Sequence, residues 1–389
     1  MTARFGGPDG SAIVHEYFIQ DGGAERCAVE FAILLPTARI YTTFFDESRF
    51  GGRIAPERVR SWVLQRFIGP TRHFRALLPA YPLYFSFLRI EQASLVLSSS
   101  IAFTKAVRVA PGAIHVSYVY TPMRYAWDLD TYLDGSSFSR SSRIAVRTIR
   151  PVLQLWDRCT SRRPDVIVAI SQTVRQRIKD RWGRDSEVIY PPVDVSEIIA
   201  TGEDDGFYLV AARLLAYRRI DLAVLACTRL GRSLIVVGNG PERAALAAMA
   251  GPTVQFVGHV DRERLVRYFQ TCRAYIVPGV EDFGIAPVEA MAAGKPIIAF
   301  GRGGAAETVV DGETGLHVEE PTVDAFAAAI VRSEEMVWDP SVIRARAEVF
   351  DRSVFILRWR ELIERLGMGR HLSSQAWSTV TSPEPEVES

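Results

Sequence analysis

Short apolar runs recur along the chain, each followed by a polar or glycine-rich turn and then by a longer stretch with helical spacing. In the first half the runs are 12–14, 39–43, 93–98, 114–120, 165–170 and 187–190. Runs of this length between turn signals predict buried strands, while 24–35 and 172–181 predict helices. A second series opens at 207–211 and continues at 233–237, 254–257, 274–278 and 296–300. Helices are expected between these strands at 223–230, 242–250, 262–271 and 287–293, and beyond them at 325–335, 341–348 and 353–366. Alternation of strand and helix predicts parallel βα units, so the fold class is α/β with two Rossmann-like βαβ domains. The acidic stretch 194–206, with Glu203, Asp204 and Asp205, reads as the linker. Open α/β sheets bind ligands beyond the carboxyl ends of their strands, so the two domains are expected to face a central cleft.

Composition narrows the picture. A length of 389 residues fits two domains, and 48% hydrophobic with 23% charged residues excludes disorder throughout. Cys27, Cys159, Cys227 and Cys272 are scattered without a CxxC pair, so no structural zinc site is expected and a reducing compartment fits. The opening MTARFGGPDGSAIVHEYF has no long apolar core, and no cleaved leader is expected. No apolar run approaches the roughly 18–20 residues that span a bilayer. The richest, 76–88, is cut by Pro79 and Pro82. The net charge of +1 conceals an asymmetry: residues 1–195 hold 26 Lys and Arg against 18 Asp and Glu, the remainder 20 against 27. A basic first half points to an anionic partner or to uneven charge alone. Only Lys105, Lys179 and Lys295 are lysines, so arginine carries nearly all the positive charge.

The sharpest chemical signal is EDFGIAPVE at 281–289, directly after the strand AYIVPGV. Pro287 suits the first turn of a helix and Gly294 the position just past its end. The backbone of Phe283, Gly284, Ile285 and Ala286 therefore leads into a helix N-terminus, a place for phosphate or sugar hydroxyls. Glu281 precedes the loop. Glu289 falls in the first turns, where a carboxylate either holds a ribose diol or is simply solvated and favoured by the helix dipole.

Two glutamates seven residues apart around FGI resemble the EX7E motif of glycosyltransferase family 4, also called group 1, which is retaining and has the GT-B fold. Other segments match in order over about residues 12–366. Arg213 with Tyr217, Arg218 and Arg219 resembles the family segment that binds the donor diphosphate. Gly238, Asn239, Gly240, Pro241 and Glu242 resemble its GxGPE turn, and Gly258 with His259 the strand end near the base. GRGGAAE (301–307) and DGETG (311–315) resemble its closing loops, and Asp21, Gly22, Gly23, Ala24 and Glu25 its GGAE loop near the diphosphate. TPMRYAWD (121–128) and YPPVD (190–194) resemble a bacterial mannosyltransferase branch serving surface polysaccharides.

The resemblance implies roles residue by residue. Glu281 would contact hydroxyls of the transferred sugar, the amides of 283–286 would hold sugar and phosphate oxygens, and Glu289 would hold the ribose. Gly22, Gly23, Gly238, Asn239, Gly258 and His259 would also line the donor. Arg213 and Arg218 would stabilise the leaving diphosphate, so no metal and no other cofactor is expected. Arg124, Tyr125 and Trp127 would meet the acceptor. Domains are expected at 1–195, binding acceptor, and at 196–350, binding nucleotide sugar. A helix at 351–372 would return to the N-terminal domain, and 373–389 would form a disordered tail. The chain departs from the family twice at the site. Arg218 replaces the usual Lys, which changes phosphate geometry. Tyr120 stands where a His is usual, and a phenol donates a hydrogen bond but is no cation near neutral pH. His115 cannot replace it, because strand positions 115 and 120 point to opposite faces.

Competing motifs are weaker. Asp128-Leu129-Asp130 is a DxD of the kind that holds a divalent cation with a diphosphate. Lys295 is the one second-half lysine that a pyridoxal phosphate enzyme of this fold would need. The segment 62–87 carries Arg66, Arg72, His73 and Arg75 among aromatic residues and reads as an anionic-membrane surface or as the edge of the core. Residues 140–163 hold seven arginines without a nucleic-acid module, so no nucleic-acid partner is expected. The expectation is a cytoplasmic, peripherally membrane-associated hexosyltransferase at the inner face of the membrane. Its donor would be GDP-mannose first and a UDP-hexose second, and its acceptor a lipid-linked or polysaccharide glycan. A sugar-nucleotide binder with impaired catalysis is the alternative.

Overall fold

The computed structural model describes residues 10–68, 77–128 and 140–374. The chain divides into two compact units. The first takes in the chain up to Trp127, Thr148–Pro191 and a stretch beginning at Phe355; the second is built mainly from Pro192–Val354.

The first unit holds a seven-stranded sheet: β1 (Gly10–His15), β2 (Arg39–Thr42), β3 (Val59–Ser61), β4 (Ala93–Ser100), β5 (Ile114–Val119), β6 (Val166–Ala169) and β7 (Glu187–Val188). The order is β7-β6-β5-β4-β1-β2-β3 and every pairing is parallel. The order reverses between β4 and β1, which is the switch point where such sheets place ligands. All eight residues of β4 are buried although three are serines at its carboxyl end. Two of those hydroxyls are satisfied by histidines, Ser98 by His115 Nε2 at 2.9 Å and Ser99 by His15 Nδ1 at 3.0 Å. Helix α1 (Gly23–Leu34) buries Cys27, Ala28, Phe31 and Leu34. Helix α2 (Arg140–Thr160) contributes the buried Asp157.

The second unit holds β8 (Phe207–Ala211), β9 (Ser233–Val237), β10 (Val254–Gly258), β11 (Ala274–Val277), β12 (Ile297–Phe300) and β13 (Gly315–Val318). These form one parallel sheet in the order β10-β9-β8-β11-β12-β13, with its switch point between β8 and β11. Two helices matter for the site, α3 (Arg262–Thr271) and α4 (Ile285–Ala292). The last long helix, α5 (Arg352–Arg365), packs Trp359 against Phe31 and Tyr118 at ring distances of 4.8 and 5.4 Å. Burying such rings contributes roughly 1.5–3 kcal/mol each.

Of the strands in the two large sheets, two escape the pattern reading. β3 is an edge strand whose residues are half-buried or exposed, so it lacks an apolar run. β13 follows the DGETG turn so closely that it reads as part of the loop. The linker reading is also corrected. The middle stretch of the first unit ends at Pro191, and the acidic stretch is pinned to the second unit. There Glu203 pairs with Arg267 at 2.6 Å and Asp204 with Arg273 at 3.0 Å. The expected tail lies outside the described residues from 375 onward.

Candidate active site

The second unit gathers the predicted donor residues around its switch point. β8 ends at Ala211, and the exposed Arg213 follows on the loop beyond it. β11 ends at Val277 and leads to Glu281. The ends of the two strands are tied by Tyr275, whose hydroxyl donates to the Ala211 carbonyl at 2.8 Å. Arg218 reaches back across this point and forms an ion pair with Glu281, both side chains being partly exposed. Arg219, next in sequence, is the one non-glycine residue with positive φ among the described residues, at +50°. It is held there by Asp221 at 3.0 Å, so the loop that presents Arg218 is locally strained.

Gly284 caps α4 with φ +92°, a conformation open to glycine, and the chain enters the helix directly after it. Pro287 then falls in the first turn and Gly294 just past the end, as the spacing predicts. Phe283 is buried and packs on Phe350 at 5.4 Å, which fixes the loop. Gly238 admits no side chain: a Cβ would lie 2.0 Å from the Ala212 carbonyl oxygen. Asn239 is exposed and accepts a hydrogen bond from Arg243 at 2.7 Å, and His259 is exposed beyond β10.

Glu289 corrects one of its two readings. It is not a solvated helix-start residue, being only 3% exposed. A buried carboxylate needs a partner, and Arg262 Nη1 supplies it at 2.6 Å. Burial raises the pKa of the Tyr275 phenol above the ordinary range, with smaller opposing influences from the charges of Arg218 and Glu289.

The first unit treats its polar residues differently. Tyr120 shares a hydrogen bond with Ser99 at 2.9 Å and donates to the Ala24 carbonyl at 3.1 Å. Burial raises its pKa well above the ordinary phenol range. Gly22 accepts from the Arg26 amide at 3.0 Å, and Gly23 begins α1. Glu25 is buried beside them, and desolvation pushes its pKa up to about 7. Arg124 and Tyr125 are half-buried in a short helix. Trp127, expected to meet the acceptor, is half-buried. Its indole donates to the buried Asp157 at 2.7 Å, and Arg158 covers its ring at 4.9 Å.

Sequence reasoning missed several groups. Lys105 and Asp157 form a buried ion pair at 2.7 Å, and Trp182 also donates to Asp157 at 2.6 Å. Glu16 accepts from the amides of Ile101, Ala102, Phe103 and Thr104 at 2.7–3.3 Å. The His15-Glu16 pair at the end of an apolar strand was the available signal. Arg262 had none, being one charge within DRER.

The competing motifs gain little. Leu129 and Asp130 of the DxD lie outside the described residues, as do Arg72, His73 and Arg75. Lys295 is buried and donates to the Glu203 carbonyl. Among the described residues no group of three or more His, Cys, Asp or Glu is gathered to hold a metal ion, and no helix is long and apolar enough to cross a membrane.

The second unit thus carries a parallel six-stranded sheet with two Arg–Glu pairs on the elements that follow its strands, and the first unit is built on a parallel sheet of its own. Residues 21–197 match the model for Glycosyltransferase Family 4, and residues 195–339 that for Glycosyl transferases group 1. The chain belongs to the glycosyltransferases of GT-B fold. It is 27% identical over 211 residues to a glycogen synthase of Mycobacterium tuberculosis, covering 48% of this chain and 49% of that protein. It is 28% identical over 198 residues to a GDP-mannose-dependent alpha-(1-6)-phosphatidylinositol monomannoside mannosyltransferase of Mycolicibacterium smegmatis, covering 43% and 52%. The matched stretch thus spans about half the length of these curated relatives. Among solved structures, HepE of Anabaena with UDP and glucose superposes with a TM-score of 0.63 at 16% identity, covering 91% of this chain and 99% of that one. This last likeness speaks for the fold.

Proposed function

We propose that the chain is a retaining hexosyltransferase that moves mannose from GDP-mannose to a lipid-linked or polysaccharide glycan. The observation that carries this reading is the Arg218–Glu281 pair at the switch point, beside the amide-lined entry to α4. Departure of a nucleoside diphosphate builds negative charge. Arg218 and Arg213 would stabilise it as fixed cations, and the amides of 283–286 would hold phosphate and sugar oxygens. Glu281, released from Arg218 by the incoming phosphate, would accept hydrogen bonds from sugar hydroxyls, and Glu289 would hold the ribose. The mycolicibacterial relative, named for GDP-mannose, supports that donor first. HepE, solved with UDP and glucose, supports a UDP-hexose second.

The reading extends to a cytoplasmic enzyme on the inner face of the membrane. Val63, Phe67, Leu83 and Phe87 are exposed apolar residues on the basic first unit, Phe67 at 80%. Tyr81 and Phe85 of the same segment belong to the core, so both readings of 62–87 apply to different residues. Release of GDP from GDP-mannose, and of UDP from UDP-glucose, measured with and without a polyprenyl-linked glycan acceptor and with and without chelator, tests the proposal. Acceptor-dependent GDP release that survives chelator is the expected result. Binding without turnover would favour the impaired sugar-nucleotide binder, a reading motivated by the engagement of Tyr120 with Ser99 and Ala24.

A further inference from the structure

Arg262 is the first residue of α3, and Asp261 caps that helix by accepting from the Arg264 amide at 2.8 Å. The same turn carries Gly258 and His259, so α3 begins beside the strand end that the family places near the base. From there the guanidinium reaches Glu289 on another helix, with Nη1 at 2.6 Å from Oε1. Its second terminal nitrogen, Nη2, is buried and has no hydrogen-bond partner. A buried donor left unpaired forfeits its hydration without a compensating bond. The free chain therefore carries beside Glu289 an unused N–H that an oxygen-rich ligand would satisfy.

We propose that Arg262 is a positioning and specificity-determining residue for the nucleoside: it fixes the Glu289 carboxylate through Nη1 and donates from Nη2 to a ribose hydroxyl oxygen. The inference rests on the reading of Glu289 as the ribose carboxylate. A ribose hydroxyl is both donor and acceptor, so an Arg–Glu pair matches both of its capacities, whereas a lone carboxylate matches one. A buried carboxylate also needs its counter-charge to stay ordered in one geometry.

The test is calorimetric titration of GDP and UDP, each against its 2′,3′-dideoxy counterpart, on the full chain and on Arg262→Met, Arg262→Lys and Glu289→Gln. The wild type is expected to favour the ribonucleotide of its own base by about tenfold or more, one charge-assisted hydrogen bond being worth that much. Glu289→Gln should remove the preference. Arg262→Met should bring it within about threefold while leaving dideoxynucleotide affinity unchanged, and Arg262→Lys should restore part of it. The unchanged dideoxy affinity also shows that the variant is folded. Full ribose preference in Arg262→Met, or equal weakening of both nucleotide forms, would overturn the proposal. Preference retained in Glu289→Gln would instead overturn the ribose reading of Glu289, and the inference with it.

Discussion

The two units use charge at their strand ends in opposite ways. In the second, Arg218–Glu281 and Arg262–Glu289 join arginines that keep some exposure to carboxylates at the switch point. A ligand bearing phosphates and hydroxyls could exchange with the partly exposed first pair, while the second, with Glu289 buried, could only be added to. In the first unit the strong polar groups face inward. Glu16 is filled by four amides, Lys105 by Asp157, and His15 by Ser99. The same fold thus supports two arrangements: one leaves its charges exchangeable and so fit for a ligand, the other closes them and gains a fixed core.

The comparison can be broken most forcefully at Glu281. Glu281→Ala should lower hexosyl transfer by about a thousandfold or more while melting within a few degrees of wild type, because the proposed role of this carboxylate is to hold the sugar and its side chain is partly exposed. A transfer assay paired with thermal melting reads both. The converse holds for Lys105→Met. Leaving Asp157 buried without its cation should cost about 3–5 kcal/mol in denaturant unfolding of the first unit. Arg213→Ala should weaken free GDP or UDP by about 2 kcal/mol, near 30-fold, as seen by calorimetry.

Acidity separates the units more finely. Burial lowers the pKa of His15 and His115 to about 3. Below about pH 6.5 the unfolded chain takes up protons that the folded unit refuses, so stability falls as pH drops towards 3. The slope is about 1.4 kcal/mol per pH unit for each histidine. Glu25 runs the other way. With its pKa raised to about 7, its contribution is full below about pH 4.5 and is lost as pH rises through 7. Glu25→Gln should therefore gain up to about 3 kcal/mol relative to wild type between pH 4.5 and 8, measured by urea unfolding. The smallest effect concerns the surface: Phe67→Ser with Phe87→Ser should reduce sedimentation with anionic liposomes several-fold.

Much of this was legible in the chain. Buried parallel strands announce themselves as apolar runs, and Pro287 with Gly294 marks α4 at both ends. The edge strand β3 and the short β13 were not legible, since neither carries an apolar run distinct from its turn. Within the site, Glu281 and Glu289 were legible by spacing, but their partners were not. Glu289 meets Arg262 from 27 residues away, and Lys105 meets Asp157 across 52 positions. Spacing predicts contacts within an element, whereas these pairs exist only once the sheet has brought separate elements together. Trp127 shows the same limit from the other side. Resemblance gave it a place at the acceptor, and nothing in its motif announced Asp157, 30 residues on, as the partner of its N–H.

The central claim is that ligand chemistry resides at the switch point of the second unit. Calorimetric titration of GDP and UDP into Arg218→Ala and Tyr120→Phe tests it most directly. The account predicts that Arg218→Ala weakens the preferred diphosphate by about tenfold or more, while Tyr120→Phe stays within about twofold of wild type. Unchanged affinity in Arg218→Ala together with a large loss in Tyr120→Phe would contradict it.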